Sequence, residues 1–331
     1  MNYRRLGRAG LKVSEIAFGN WITAGGKNSI EDSMACHRKA FDLGINCFDT
    51  ADCYAGGQAE EVLGRVLQDL SRKDLVLATK CCVPMGKGPN DGGLSRKHVR
   101  EACEASLRRL KTEYIDLYQA HDFDAATPSE EICRAFDDLI RQGKIVYWGL
   151  SNWDSAQTRD AVAICDARGF DRPVGSQPRY SLFYREIEKD LLSVCAQWGI
   201  GFIVYSPLCQ GLLSGKYAGG KVPPNSRAGQ SENYRRRFLT PYNETAVEGL
   251  SALAKESALS LSQLALAWIL RRPEMSAAIV GASRPEQLED NAKASGVKLD
   301  EELLARIQVI LDRRWATILE EDAAKLRKEA K

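Results

Sequence analysis

The chain has 331 residues, 44% hydrophobic and 27% charged, with a formal net charge of +2. That is long for one ordinary domain, yet within the range of a β/α barrel carrying insertions. The near-neutral balance excludes a broad basic field for nucleic acid or an anionic membrane. No run approaches the roughly 18 apolar residues of a spanning helix, so no direct membrane insertion is expected. The start, Met-Asn-Tyr-Arg-Arg-Leu-Gly, lacks the apolar core of a signal peptide. The ten cysteines are scattered, with no CxxC pair, and read as reduced buried thiols of a cytoplasmic protein. The three histidines, at 37, 98 and 121, are far apart, which argues against a zinc site.

In chain order, Tyr3 to Leu6, a Gly-Arg-Ala-Gly turn and Leu11 to Ala17 predict a hairpin. Short apolar strands then alternate with helical stretches. Strands are predicted near Glu15–Gly19, Ile45–Thr50, Leu75–Lys80, Ile115–His121, Val146–Ser151, Val174–Gln177, Gly201–Ser206 and Ala277–Gly281. The helix after the second carries Ala59, Val62, Leu63, Val66, Leu67 and Leu70 on one face. Three helix starts read as capping boxes: Thr127-Pro128-Ser129-Glu130, Ser260-Leu261-Ser262-Gln263 and Ser283-Arg284-Pro285-Glu286, with Gly143 closing the helix that follows the first. Alternating strands and helices demand parallel pairing and right-handed crossovers. Eight such units predict an α/β fold: a (β/α)8 TIM barrel, one domain over residues 1–331. From Pro207 to about Pro241 the rhythm breaks into a long segment rich in Gly, Pro, Ser and Arg, after the seventh barrel strand. A charged helical tail is expected from about 311 to 331.

Two phosphate motifs are rejected. Gly211 to Tyr217 resembles a P-loop but is one residue short and ends in Tyr, and no GxGxxG follows a strand. The cluster Tyr234-Arg235-Arg236-Arg237 reads as a solvated loop face. The chemistry lies elsewhere. Asp49, Tyr54, Lys80 and His121 sit at or just beyond the C-terminal ends of three consecutive predicted strands, where a barrel gathers its reactive side chains. A phenol of pKa about 10 is a weak acid at neutral pH. A nearby ammonium lowers that pKa, a carboxylate orients the ammonium, and a histidine can hydrogen-bond the substrate oxygen. Together they can protonate an alkoxide as it forms during carbonyl reduction.

These residues lie in motifs that resemble the aldo-keto reductase superfamily along nearly the whole chain. They are FDTADCY at 48–54, ATK at 78–80, QAH at 119–121, YWGLSNW at 147–153, SQPRYSLFYRE at 176–186, YSPLCQGLLSGKY at 205–217 and VGASRPEQLEDN at 280–291. LSRKHV at 94–99 and the SGKY…VPPNSRA stretch resemble the branch that contains potassium-channel β-subunits and their bacterial relatives. The resemblance implies an NADP(H)-dependent oxidoreductase acting on small aldehydes or ketones. It implies Tyr54 as general acid, Lys80 and Asp49 tuning it, and His121 orienting the carbonyl. It further implies that Ser151, Asn152 and Gln177 hold the carboxamide and that Tyr205 stacks on the nicotinamide. Ser206, Pro207, Leu208, Gln210, Gly211 and Lys216 would line the pyrophosphate, with Arg227 closing over it. Gly281, Ser283, Gln287, Asp290 and Asn291 would hold the adenosine end, and Asn20 and Trp21 would border the nicotinamide and substrate pocket. His121 stands where the channel-subunit branch usually has Asn, and Asn225 where it tends to have an aromatic. The alternative is a redox-sensing subunit that uses the same bound cofactor to regulate a channel or other membrane partner. A homo-oligomer stays open.

Overall fold

The computed structural model describes residues 1–21 and 29–329. An antiparallel hairpin comes first, β1 (Tyr3–Arg5) and β2 (Lys12–Ser14), with Tyr3 opposite Ser14. Eight parallel strands follow: β3 (Ile16–Gly19), β4 (Cys47–Asp49), β5 (Val76–Cys81), β6 (Ile115–Ala120), β7 (Ile145–Ser151), β8 (Gly175–Gln177), β9 (Gly201–Val204) and β10 (Met275–Val280). They pair in sequence order and close through β10 against β3, making the (β/α)8 barrel the strand pattern predicts. The predicted second hairpin arm is split at Glu15: Lys12–Ser14 pairs with β1, whereas Ile16–Gly19 opens the barrel.

The helices are α1 (Ile30–Asp42), α2 (Gln58–Leu67), α3 (Arg96–Leu110), α4 (Ser129–Arg141), α5 (Ser155–Arg168), α6 (Leu191–Trp198), α7 (Arg227–Gln230), α8 (Glu232–Phe238), α9 (Pro241–Glu256), α10 (Leu261–Leu270), α11 (Pro285–Ala292) and α12 (Glu301–Glu329). The α10 capping box is present, with Ser260 and Gln263 exchanging bonds. The other two predicted boxes are not. Thr127 Oγ1 donates instead to Asp124 Oδ2 at 2.6 Å, so α4 starts at Ser129 with no side-chain cap. Ser283 is drawn to Gln287 Oε1, and α11 starts at Pro285 behind Arg284. A box at Asp154 and Gln157, not predicted, opens α5. The C-terminal helix begins ten residues before the expected tail, at Glu301, because Leu303, Ile307 and Leu311 bury one face. Residues 330 and 331 of that tail lie outside the described residues.

The strand period of two separates the cores. Leu77, Phe48, Tyr118 and Trp148 point outward into the layer under the helices. Ala17, Cys47, Val76, Ala78, Leu117, Ile203 and Ala277 point inward and pack with Leu6 and Val13 of the hairpin. The hairpin therefore plugs the N-terminal mouth. Gly7 (φ +58) and Gly201 meet there so closely that a Cβ on Gly7 would lie 2.5 Å from the Gly201 nitrogen. With that end sealed, the opposite end of the barrel is free for chemistry.

The segment after β9 is not the irregular loop its composition suggests. Short helical turns, among them α7 and α8, wrap an aromatic cluster. Tyr217, Tyr234 and Phe238 are buried, and Tyr234 stacks on Phe238 with centroids 4.7 Å apart. The Tyr234–Arg237 cluster is thus not merely a solvated face. Its tyrosine is core, and Arg235 Nη1 bonds the Ala228 carbonyl at 2.6 Å.

Candidate active site

Parity along the strands selects what the open end receives. Continuing inward from Cys47 gives Asp49; from Val76 and Ala78, Lys80; from Leu117, Gln119 and then His121. Lys80 is fully buried, and its ammonium bonds Asp49 Oδ2 at 2.7 Å, the Thr50 carbonyl at 2.7 Å and Tyr54 OH at 3.3 Å. Tyr54 reaches it from the turn between β4 and α2, and its ring meets the His121 ring edge-on at 5.7 Å. The four predicted ionisable residues form one cluster.

Burial draws His121 down to about 3, with help from the Lys80 charge, so its imidazole is neutral at physiological pH. Burial opposes the Lys80 charge too, but Asp49 and Tyr54 outweigh it and hold the ammonium above the ordinary lysine range. Tyr54 corrects the sequence expectation. Burial raises the phenol more than Lys80 lowers it, so the net shift is upward and the proton stays on at neutral pH.

A second ring surrounds the cluster. Gln177 Nε2 donates to Asp49 Oδ1 at 2.8 Å, holding the carboxylate from the side away from Lys80. Ser151 Oγ donates to the Gln177 carbonyl at 3.0 Å. Tyr205 OH donates to Asn152 Oδ1 at 3.0 Å, while Asn152 Nδ2 bonds the His121 carbonyl at 3.2 Å and Asp122 Oδ1 at 2.8 Å. Asn20 is buried and spends its Nδ2 on the Ala59 carbonyl, leaving Oδ1 unpartnered among the described residues. Trp21 is exposed at the rim, 6.4 Å from the Tyr54 ring.

The predicted phosphate end lies along the turn after β9. Ser206, Cys209, Gln210 and Gly211 all take positive φ, a conformation that costs a non-glycine residue about 1 kcal/mol or more. Pro207 is buried, and the Leu208 carbonyl accepts from Gly211 N and Leu213 N. The Lys216 side chain crosses Gly211 so closely that a Cβ there would meet its Nζ at 2.8 Å. Desolvation lowers Lys216, and Arg227 and Arg284 lower it further. Desolvation also lowers Arg227, and among the described residues no carboxylate acts on either cation. Cations held together without an acid are a fit for a phosphate-bearing group. The adenosine-end residues divide. Gly281 leaves β10 beside Gly19, and Ser283 with Gln287 stays exposed or half-exposed. Asn291 is buried, and both Asp290 carboxylate oxygens are engaged by Ser260 and Gln263 at the start of α10.

Sequence reasoning passed over two neighbours in the same turn. Cys53 Sγ lies 3.8 Å from His121 Nδ1, and burial pushes the thiol up to about 11, so it keeps its proton. Asp52 is wholly buried, and neither carboxylate oxygen has a full hydrogen bond among the described residues. Burial, then the Glu60 charge, raises it to about 7. The only signal was position: an acid between two motif residues on a strand-to-helix turn.

The open end of the closed (β/α)8 barrel thus carries a buried Lys–Asp pair behind a tyrosine and a neutral histidine. The model of the Aldo/keto reductase family matches residues 15–312, and the chain belongs to that family. A rice (Oryza sativa subsp. japonica) protein named "Probable voltage-gated potassium channel subunit beta" is 39% identical over 319 residues, covering 94% of this chain and 97% of its own length. An Arabidopsis thaliana protein of the same name is 40% identical over 303 residues, covering 90% and 92%. Among the described residues no helix is long and apolar enough to cross a membrane, and no group of three or more His, Cys, Asp or Glu could hold a metal ion.

Proposed function

We propose that the protein reduces the carbonyl group of small aldehydes or ketones with NADPH, and that Tyr54 is the proton donor. The observation that carries this reading is Lys80 Nζ, fully buried and shared between Asp49 Oδ2 at 2.7 Å and Tyr54 OH at 3.3 Å, beside a neutral His121. The cofactor, when bound, supplies a hydride to the carbonyl carbon. The chain does the rest. His121 donates a hydrogen bond to the carbonyl oxygen and orients it. As the carbon–oxygen π electrons move onto that oxygen, Tyr54 gives it a proton. Lys80 then stabilises the phenolate until solvent reprotonates it. Asp49, held by Gln177, keeps the ammonium aimed.

Ser151, Asn152 and Gln177 would hold the carboxamide and Tyr205 the nicotinamide face. The turn from Ser206 to Gly211, with Lys216 and Arg227, would hold the pyrophosphate. Ser283, Gln287, Asp290 and Asn291 would hold the adenosine end, and Arg284 and Arg227 would select the 2′-phosphate. NADPH is therefore expected to bind more tightly than NADH, and equal dissociation constants by fluorescence titration would contradict the assignment. Steady-state NADPH oxidation against an aldehyde panel tests the activity; no turnover with any member would overturn it.

The names of the relatives support a second reading, a cofactor-binding subunit that regulates a channel. His121, in place of the branch's asparagine, favours the enzyme. Co-purification of a membrane partner that persists in a turnover-dead variant would favour the subunit.

A further inference from the structure

The two ends of the groove carry opposite charge. Arg227 and Arg284 both act on Lys216 at the phosphate end. At the reacting end the exposed charge is an acid. Asp122 follows His121 directly and is exposed. Asn152 Nδ2 fixes its carboxylate at 2.8 Å, and the same nitrogen bonds the His121 carbonyl. Those two acceptors set the amide, so Asn152 Oδ1 is the atom that takes the Tyr205 hydroxyl. Asp122 is therefore held one side chain away from the Tyr205 hydroxyl, and the same amide ties it to the His121 main chain.

No ion pair neutralises it among the described residues. Its partner is a neutral amide, which brings no counter-charge. One cation opposes it at the Tyr205 ring, the half-buried Arg179, which is seated over the Tyr184 ring at 3.2 Å. Lys80 is buried and paired with Asp49. His121 is neutral. Asp124, two residues on, adds a second acid, its oxygens taken by Leu94 N, Ala126 N and Thr127 Oγ1. Across the opening, Arg227 lies 5.8 Å above the Trp21 ring. Trp21 itself is an exposed apolar side chain beside Tyr54.

We propose that Asp122 determines substrate specificity: the site takes neutral and cationic carbonyl compounds with an apolar body and rejects those bearing a carboxylate. The proposal rests on the carbonyl-reduction reading and names its substrate class. A unit charge at this range and partial exposure changes kcat/KM by roughly tenfold.

The test compares 4-carboxybenzaldehyde, 4-nitrobenzaldehyde and 4-(trimethylammonio)benzaldehyde at saturating NADPH, in the native protein and in Asp122→Asn. Ratios between substrates cancel any common loss passed through Asn152. The native protein is expected to prefer the cationic over the anionic aldehyde. Asp122→Asn should raise the anionic-to-neutral ratio about tenfold and lower the cationic-to-neutral ratio similarly, and both effects should shrink in high salt. Unchanged ratios with good turnover of the neutral aldehyde would overturn the role of Asp122 and leave carbonyl reduction standing. So would a native preference for the anion that disappears in Arg227→Ala. If no aldehyde turned over, carbonyl reduction would fall, and calorimetry would still decide the charge reading. Phenylacetate binding as tightly as benzyltrimethylammonium, or no effect of Asp122→Asn on either, would overturn it.

Discussion

The floor of the site and the segment that borders it solve the problem of buried charge in opposite ways. At the floor, Lys80 and Asp49 are both buried and each is saturated: the ammonium has three partners, and the carboxylate is held by Lys80 and Gln177. At the border, Lys216 and Arg227 are brought together with no acid among the described residues; burial lowers both, and Arg227 and Arg284 lower Lys216 further. A saturated pair is rigid and complete without a ligand, whereas clustered cations are relieved only when an anion arrives. Chemistry needs the first arrangement and reversible binding the second.

The sharpest break of the floor is Tyr54→Phe. It removes the phenol that touches Lys80 and leaves the Lys80–Asp49 pair intact. Turnover should fall by roughly 100- to 10,000-fold, with the melting temperature and NADPH affinity close to native. Native-level activity with an aldehyde would remove Tyr54 from the role of proton donor.

Lys80→Met tests whether the floor is a structural ion pair as well. It leaves Asp49 buried with no counter-charge, a change that costs about 3–5 kcal/mol. Urea unfolding should show that loss, and Asp49→Asn added to Lys80→Met should restore part of it. A stability loss below about 1 kcal/mol would mean that water reaches the pair.

Asp52 is the floor's exception, a buried acid without a cation in contact. Its folded pKa of about 7 lies above the unfolded value of about 3.9. The folded state therefore binds the extra proton, and the stabilisation present at low pH is lost as pH rises through 7. Asp52→Asn cannot ionise. Its stability advantage over the native protein should grow by about 2–3 kcal/mol between pH 5 and pH 8. A gap independent of pH, measured by unfolding at the two values, would show that Asp52 is already ionised in the fold.

The border is tested by Arg227→Ala, which should weaken NADPH binding by roughly 1.5–3 kcal/mol. Unfolding of the ligand-free protein should barely change, because no acid loses a partner. Arg227→Ala should also narrow the NADPH-to-NADH preference. Equal loss for both dinucleotides would confine Arg227 to the pyrophosphate.

Much of this was legible before folding. All eight barrel strands were readable because each is a short apolar run between turn signals, and helix α2 because its apolar residues repeat on one face. The four clustered candidate residues were legible because strand parity places Asp49, Lys80 and His121 on the inward face, and the turn at 54 adds the tyrosine. The helix starts at Thr127 and Ser283 misled because a hydroxyl bonds whichever partner is nearest, and Asp124 and Gln287 were nearer than the helix backbone. The segment from 207 to 241 misled because its order comes from contacts far apart in the chain. Tyr217, Tyr234 and Phe238 make a core only once α8 folds back over the turn after β9.

By itself, then, the sequence determined the barrel, its open end and the ionisable side chains gathered there, since period, turn chemistry and strand parity are local properties of a chain. The tertiary structure decided their ionisation and their company. The upward shift of Tyr54, the neutral His121, the stranded Asp52 and the unpaired Asp122 depend on how much water and which charges surround each group. Desolvation and Coulomb energy are set by neighbours from other strands, which no single stretch of sequence contains.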